Sequence, residues 1–230
     1  MVHEHRAVQG GSIRAGIFGI SDGLVSNVAL ILGVAAASSD GSPVLIAGVS
    51  GLLAGATSMA AGEYVSMKAQ NELIERELAI ERDSLANNQA MEVRELTAIY
   101  AQRGLDRKRA QELAEAVHED PEIALEVHAR EELGVNPDDI GDPVGASISS
   151  FLAFAIGAIL PLIPWFITEG TAAMIASVTI GLVAAALVGI VLARFTERSP
   201  FRTALRQVAW AGGACTVTYV IGDLLGTQVG

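Results

Sequence analysis

Five apolar runs, each long enough to cross a bilayer, constrain this chain more than any other feature. They extend from Ala15 to Ala37, Pro43 to Met67, Gly145 to Ile167, Thr171 to Ala193 and Leu205 to Val229. A hydrocarbon core of roughly 30 Å takes about 20 helical residues. Helices are the form in which such runs satisfy their own backbone N–H and C=O groups inside lipid. The expected fold is therefore all-α: a polytopic membrane protein with five transmembrane helices. The connections Ser38–Ser42 and Thr168–Gly170 are short, so both flanking pairs should form tight antiparallel hairpins.

Charge then orients the spans. All 15 Lys and Arg lie in the amino-terminal segment, in a polar insert between the second and third runs, or in a charged loop from Arg194 to Arg206, which carries Arg194, Arg198, Arg202 and Arg206. These places share one side of a five-span arrangement. The positive-inside rule puts that side, with the amino terminus and the insert, in the cytosol and the carboxyl terminus outside. The chain thus divides into residues 1–67 with the first two spans, an acidic helical insert at 68–142, and 143–230 with the last three. Of 26 Asp and Glu, 19 fall in the insert against nine Lys and Arg, a balance that excludes nucleic acid and favours cations as partners. The single cysteine, Cys215, leaves no intramolecular disulfide.

Local signals divide the insert into helices. No Gly or Pro interrupts Lys68–Leu85, so the second span should continue into the insert as one helix. A second piece runs from Met91 to Arg103 and stops at Gly104. Asp106 caps a third, ending near His118, and Asp120-Pro121 starts a fourth, ending at Gly134. In the membrane, Gly19 with Gly23, Gly51 with Gly55 and Gly222 with Gly226 have the spacing that lets helices approach closely. Pro161 and Pro164 should kink or end the third span.

Three sets of residues have chemical potential. Asp22 in the first span and Met59 in the second come to nearly equal depth in an antiparallel pair, with Glu63 one turn nearer the cytosol on the face of Met59. An acid at that depth is costly and functional by default, whereas Met59 also serves as a space-filler and Glu63 also suits an interfacial position. Two carboxylates and a thioether suit iron(II) or manganese(II). In the insert, Glu92 and Glu95 at i,i+3, His128 and Glu132 at i,i+4, and Glu81 on the emerging helix offer metal ligands from several helices. On spacing alone a solvated acidic face is the better reading of them. Tyr219 and Asp223 near the outer end of the last span fit an exit path or an interfacial cap.

The runs Gly19-Ile20-Ser21-Asp22-Gly23-Leu24, Gly55-Ala56-Thr57-Ser58-Met59-Ala60-Ala61-Gly62-Glu63-Tyr64-Val65-Ser66 and Arg130-Glu131-Glu132-Leu133-Gly134 resemble the vacuolar iron transporter family, in a bacterial-type form. The resemblance covers nearly the whole chain. It implies a homodimeric, proton-coupled exporter of iron(II) and often manganese(II), with Asp22, Met59 and Glu63 on the translocation path. It also implies Glu81, Glu92, Glu95 and Glu132 as insert ligands that collect metal. Ser84 and His128 depart from it, standing where plant-type members tend to have Glu and Met. No organic cofactor is expected, and the expected setting is a prokaryotic cytoplasmic membrane.

Other classes fit less well. A membrane di-iron oxygenase needs His-rich boxes, yet beyond the amino-terminal segment only His118 and His128 occur, and an intramembrane serine hydrolase lacks its His. A metal sensor, a storage scaffold or a passive metal channel remains as an alternative to a proton antiporter. A dimer is also expected because five thin, Gly-rich spans are few to enclose a polar path.

Overall fold

The structure, a computed structural model, describes residues 11–38, 40–135, 137 and 140–229. Met1–Gly10 of the amino-terminal segment and Ser39 of the first connection lie outside the described residues. Eight α-helices are described: α1 (Gly11–Ala37), α2 (Gly41–Asn87), α3 (Gln89–Gln102), α4 (Arg107–Val117), α5 (Pro121–Glu131), α6 (Pro143–Ile159), α7 (Gly170–Thr196) and α8 (Pro200–Val229). A 3-10 segment, Leu160–Phe166, follows α6. Five helical stretches are long and apolar enough to cross a membrane, within α1, α2, α6 with its 3-10 extension, α7 and α8. The chain divides into two compact units: residues up to Val65 with those from Pro143 onward, and Ser66–Asp142.

In the membrane unit α1 is the central helix, packed most closely on α6 and α8 and next on α7. Missing side chains make those approaches possible. A Cβ on Gly23 would run into the Phe154 backbone of α6, one on Gly157 into the Ile20 carbonyl of α1, and one on Gly222 into the Gly33 carbonyl. Lipid gives apolar helices no hydrophobic reason to associate, so this backbone-to-backbone contact is what holds them. On α7 the buried residues are Ala173, Ser177, Gly181, Ala185, Gly189 and Ala193. Their strict spacing of four draws a ridge of small residues along one helix face.

The two prolines end α6 and leave a backbone problem. Neither Pro161 nor Pro164 has an N–H to give the carbonyl three residues earlier in a 3-10 turn, which strands the oxygens of Ala158 and Pro161. Two buried side chains supply the missing donors. Asn27 Nδ2 donates to Ala158 O at 2.7 Å and Ser177 Oγ to Pro161 O at 2.6 Å. Such rescue by neighbouring helices is what tolerates broken helix inside lipid.

The stretch from Arg194 to Arg206, read as a loop from its charge, is mostly helix. Between α7 and α8 only Glu197–Ser199 is non-helical, and Glu197 sits at φ 51° as a left-handed cap, with Arg198 N bonding Ala193 O at 3.1 Å. Hydropathy marks where lipid ends, whereas the helix ends where the backbone turns.

In the insert unit, helix limits follow the caps. Asp106 Oδ1 accepts from Lys108 N and Arg109 N, and Asp120 Oδ1 from Glu122 N and Ile123 N. Gly104 (φ 101°) and Gly134 (φ 67°) take the left-handed backbone that ends helices cheaply only in glycine. Leu78, Leu125 and Ala129 form the core, flanked by Ile74, Leu85 and Val135. At the base of the unit, Asn71 exchanges two hydrogen bonds with the Gly141 backbone, at 2.8 and 3.1 Å.

Candidate metal centre and membrane cavity

Helix breaks at Asn88 and Asp120 assemble the insert's polar centre. At Asn88 the chain leaves α2, with Asn88 N still bonded to Ser84 O at 2.7 Å, and starts α3. Glu81 is thereby carried on α2, Glu92 and Glu95 on α3, and His128 and Glu132 at the carboxyl end of α5. One ligand atom from each of Glu81, Glu92, His128 and Glu132 lies within 4.8 Å of the others. An ion with bonds of about 2.1 Å holds opposite ligands about 4.2 Å apart, so side-chain adjustment alone closes this set around a metal.

His128 is the hub. It is fully buried, and its Nδ1 lies 2.9 Å from Glu81 Oε1, 3.3 Å from Glu132 Oε2 and 3.8 Å from Glu92 Oε2. Three carboxylates converge on one imidazole nitrogen, so a divalent ion here would meet an N1O3 donor set. Ser84 Oγ donates to Glu92 Oε1 at 2.6 Å and fixes that carboxylate. Glu95 stands outside the four-atom group but hydrogen-bonds Glu132. His118, which sequence reasoning did not connect to this centre, packs edge-on to His128 with ring centroids 5.1 Å apart. Its Nδ1 is held by Ala114 O at 2.7 Å.

Crowding raises proton affinity here. The Glu81 carboxyl is pushed above its ordinary range first by burial and then by the charge of Glu132. Glu95 is pushed up first by Glu132, then by burial and Glu92. Groups raised in the folded state take up protons before ordinary carboxylates do as pH falls. Metal binding should therefore weaken on mild acidification, while exposed acids are still ionised, and each ion bound should release protons. The metal-free insert has the opposite trend: a folded pKa raised above the unfolded value means stability grows as pH falls through the folded pKa. Calorimetric metal titrations stepped down in pH, in buffers of different ionisation enthalpy, check the first trend and the proton count. Affinity independent of pH would contradict it.

In the membrane unit, Asp22 and Met59 border one cavity of about 310 Å³, between Ser26 and Asn27 of α1, Gly51, Gly55 and Ser58 of α2, and Phe154 of α6. Glycines make the space: a side chain at Gly55 would collide with the Phe154 ring. Glu63 is half-buried one turn on and lies outside this lining. Tyr219 borders a separate apolar groove with Cys215, and Asp223 is exposed on α8. Asn27 and Ser58 in the cavity were not singled out from the sequence. Their signal there was only polarity inside an apolar run.

Together, the fold and these two polar centres define an integral membrane protein of helices, furnished with groups of the kind that could hold divalent cations. More particularly, the chain belongs to the VIT family, whose sequence profile matches residues 13–223. It is 30% identical over 226 residues to vacuolar iron transporter 1 of Oryza sativa subsp. japonica, covering 98% of this chain and 90% of that protein. Identity is 31% over 210 residues to vacuolar iron transporter 1 of Arabidopsis thaliana, covering 91% and 84%. It reaches 39% over 162 residues with the vacuolar iron transporter of Acanthamoeba castellanii, covering 70% and 58%. The family is one of transporters, not enzymes. The expected bacterial-type form is not borne out, since these relatives come from plants and an amoeba.

Proposed function

We propose that this protein moves iron(II), and manganese(II) beside it, out of the cytosol in exchange for protons. The observation that carries this reading is the cavity shared by Asp22 and Met59, a hard anionic donor and a soft thioether in a membrane unit. The relatives named as iron transporters support the choice of metal. Glu63, one turn from Met59 on α2, extends the path toward the cytosolic end. Glu81, Glu92, His128 and Glu132, with Glu95 beside them, collect the ion in the insert, which faces the cytosol in the orientation set by the Lys and Arg distribution.

The working unit is a homodimer. Asp22 is exposed on α1, and the neighbouring span of α2 leaves Val49, Leu53 and Val65 open. A second copy against this face shields the acid from lipid and closes the cavity, where a single copy leaves a carboxylate at the bilayer. Exchange with protons follows from the chemistry, because a carboxylate that releases an ion inside the membrane is stabilised by taking a proton.

The test is an imposed proton gradient across sealed vesicles containing the purified protein. Acid on the receiving side should speed initial iron(II) flux severalfold, with protons moving the other way. Flux that ignores the gradient would favour a passive pore.

A further inference from the structure

We propose that Asn27 contributes its side-chain oxygen as a neutral ligand to the ion in the membrane cavity, completing the set begun by Asp22 and Met59. This rests on the reading of that cavity as the transport path. Asn27 is 2% exposed, and its side chain is already committed at one end, because Nδ2 donates to the Ala158 carbonyl at 2.7 Å. That bond settles which way the amide points, since reversal would set two carbonyl oxygens against each other. Oδ1 is then turned away from α6. It is buried and has no hydrogen-bond partner. It faces α2, for a methyl group added to Gly51 would stand 3.1 Å from it, and both residues line the cavity.

A buried amide oxygen without a donor is costly in lipid-embedded protein and calls for an occupant. The occupant's chemistry is read from the neighbours. Asp22 brings a carboxylate and Met59 a thioether to the same space, so a divalent cation of borderline softness suits it, with Asn27 adding oxygen coordination but no charge. Keeping this ligand neutral leaves the charge on Asp22, and a site with less fixed charge releases its ion more readily. Gly51 matters for the same reason: having no side chain, it leaves the oxygen uncovered.

The competing account is that Asn27 only caps the carbonyl stranded by Pro161. It assigns importance to Nδ2, whereas ligation assigns it to Oδ1, and three variants in vesicle flux assays separate them. Asn27→Ala removes both groups, Asn27→Asp keeps an oxygen but loses the donor, and Gly51→Ala changes neither partner of the Asn27–Ala158 bond while crowding Oδ1. The nearer Leu30 Cδ2 is the end of a flexible side chain that can turn aside. Ligation predicts that Asn27→Ala raises the manganese(II) concentration for half-maximal flux by roughly 10-fold or more. Asn27→Asp should stay at or below the wild-type value, and Gly51→Ala should rise severalfold. Equal shifts in Asn27→Ala and Asn27→Asp, or lower maximal flux with unchanged half-saturation, would overturn the proposal. If the Asn27 variants do not fold, Gly51→Ala decides, and a wild-type half-saturation there overturns it. Asp22→Asn run in parallel keeps two failures apart. Wild-type flux in Asp22→Asn sinks the path itself, whereas loss of flux there with no shift in Asn27→Ala sinks only the ligand assignment.

Discussion

Iron(II) flux into vesicles should fall by roughly 100-fold or more in Asp22→Asn, while the protein folds and still binds metal through its insert. The substitution is nearly isosteric, so the cavity between α1 and α2 keeps its shape and Ser26 Oγ can still donate to the residue 22 carbonyl, a bond of 2.6 Å. What disappears is the charge. An amide neither neutralises a divalent ion nor takes a proton when the ion leaves, so both halves of the exchange lose their carrier. Removing a charge from inside a membrane-spanning helix is tolerated or stabilising, which makes misfolding a poor excuse for lost flux. The insert centre is built from Glu81, Glu92, His128 and Glu132 and contains no group from α1, so its affinity should be unchanged. Flux and equilibrium binding measured on one preparation check both halves.

Glu92→Ala with Glu95→Ala should give the complementary pattern. Glu92 is a buried member of the four-ligand group and receives the Ser84 hydroxyl, while Glu95 supports Glu132 from the next turn. Losing a ligand and the partner of another should weaken metal binding by the insert roughly 100-fold. Measurement in the Asp22→Asn background isolates the insert from the membrane cavity. In flux assays the double variant should raise the metal concentration for half-maximal rate, with maximal rate only partly reduced, because a collecting site feeds the path without forming it. Removing mutually repelling carboxylates should also stabilise the metal-free insert. Unchanged binding would show that the cluster around His128 is a structural polar core.

Much of the architecture is legible because lipid imposes strong rules on sequence. Five spans follow from hydropathy, and the close approaches at Gly23 and Gly222 follow from small-residue spacing. The insert helices stop at Gly104 and Gly134 and start at Asp106 and Asp120, where capping chemistry leaves little choice. What escaped depends on distant contacts. The role of Asn27 requires knowing that Pro161 strands a carbonyl on another helix, 131 residues away in sequence. His118 meets His128 only because α4 and α5 fold together, and no periodicity encodes that pairing. The stretch from Arg194 to Arg206 was misread for a different reason: charge reports distance from lipid and is silent on whether a helix continues.

The difference between carrying a metal and merely holding it is a number of ions. Purified protein, reconstituted alone in sealed vesicles loaded with an iron(II) chelator, should accumulate metal far beyond one or a few ions per protomer. Accumulation should continue until the gradient or the chelator is spent, and Asp22→Asn should stop it. Uptake that saturates at the stoichiometry of the insert, in wild type and Asp22→Asn alike, would contradict transport and leave a membrane-anchored metal store.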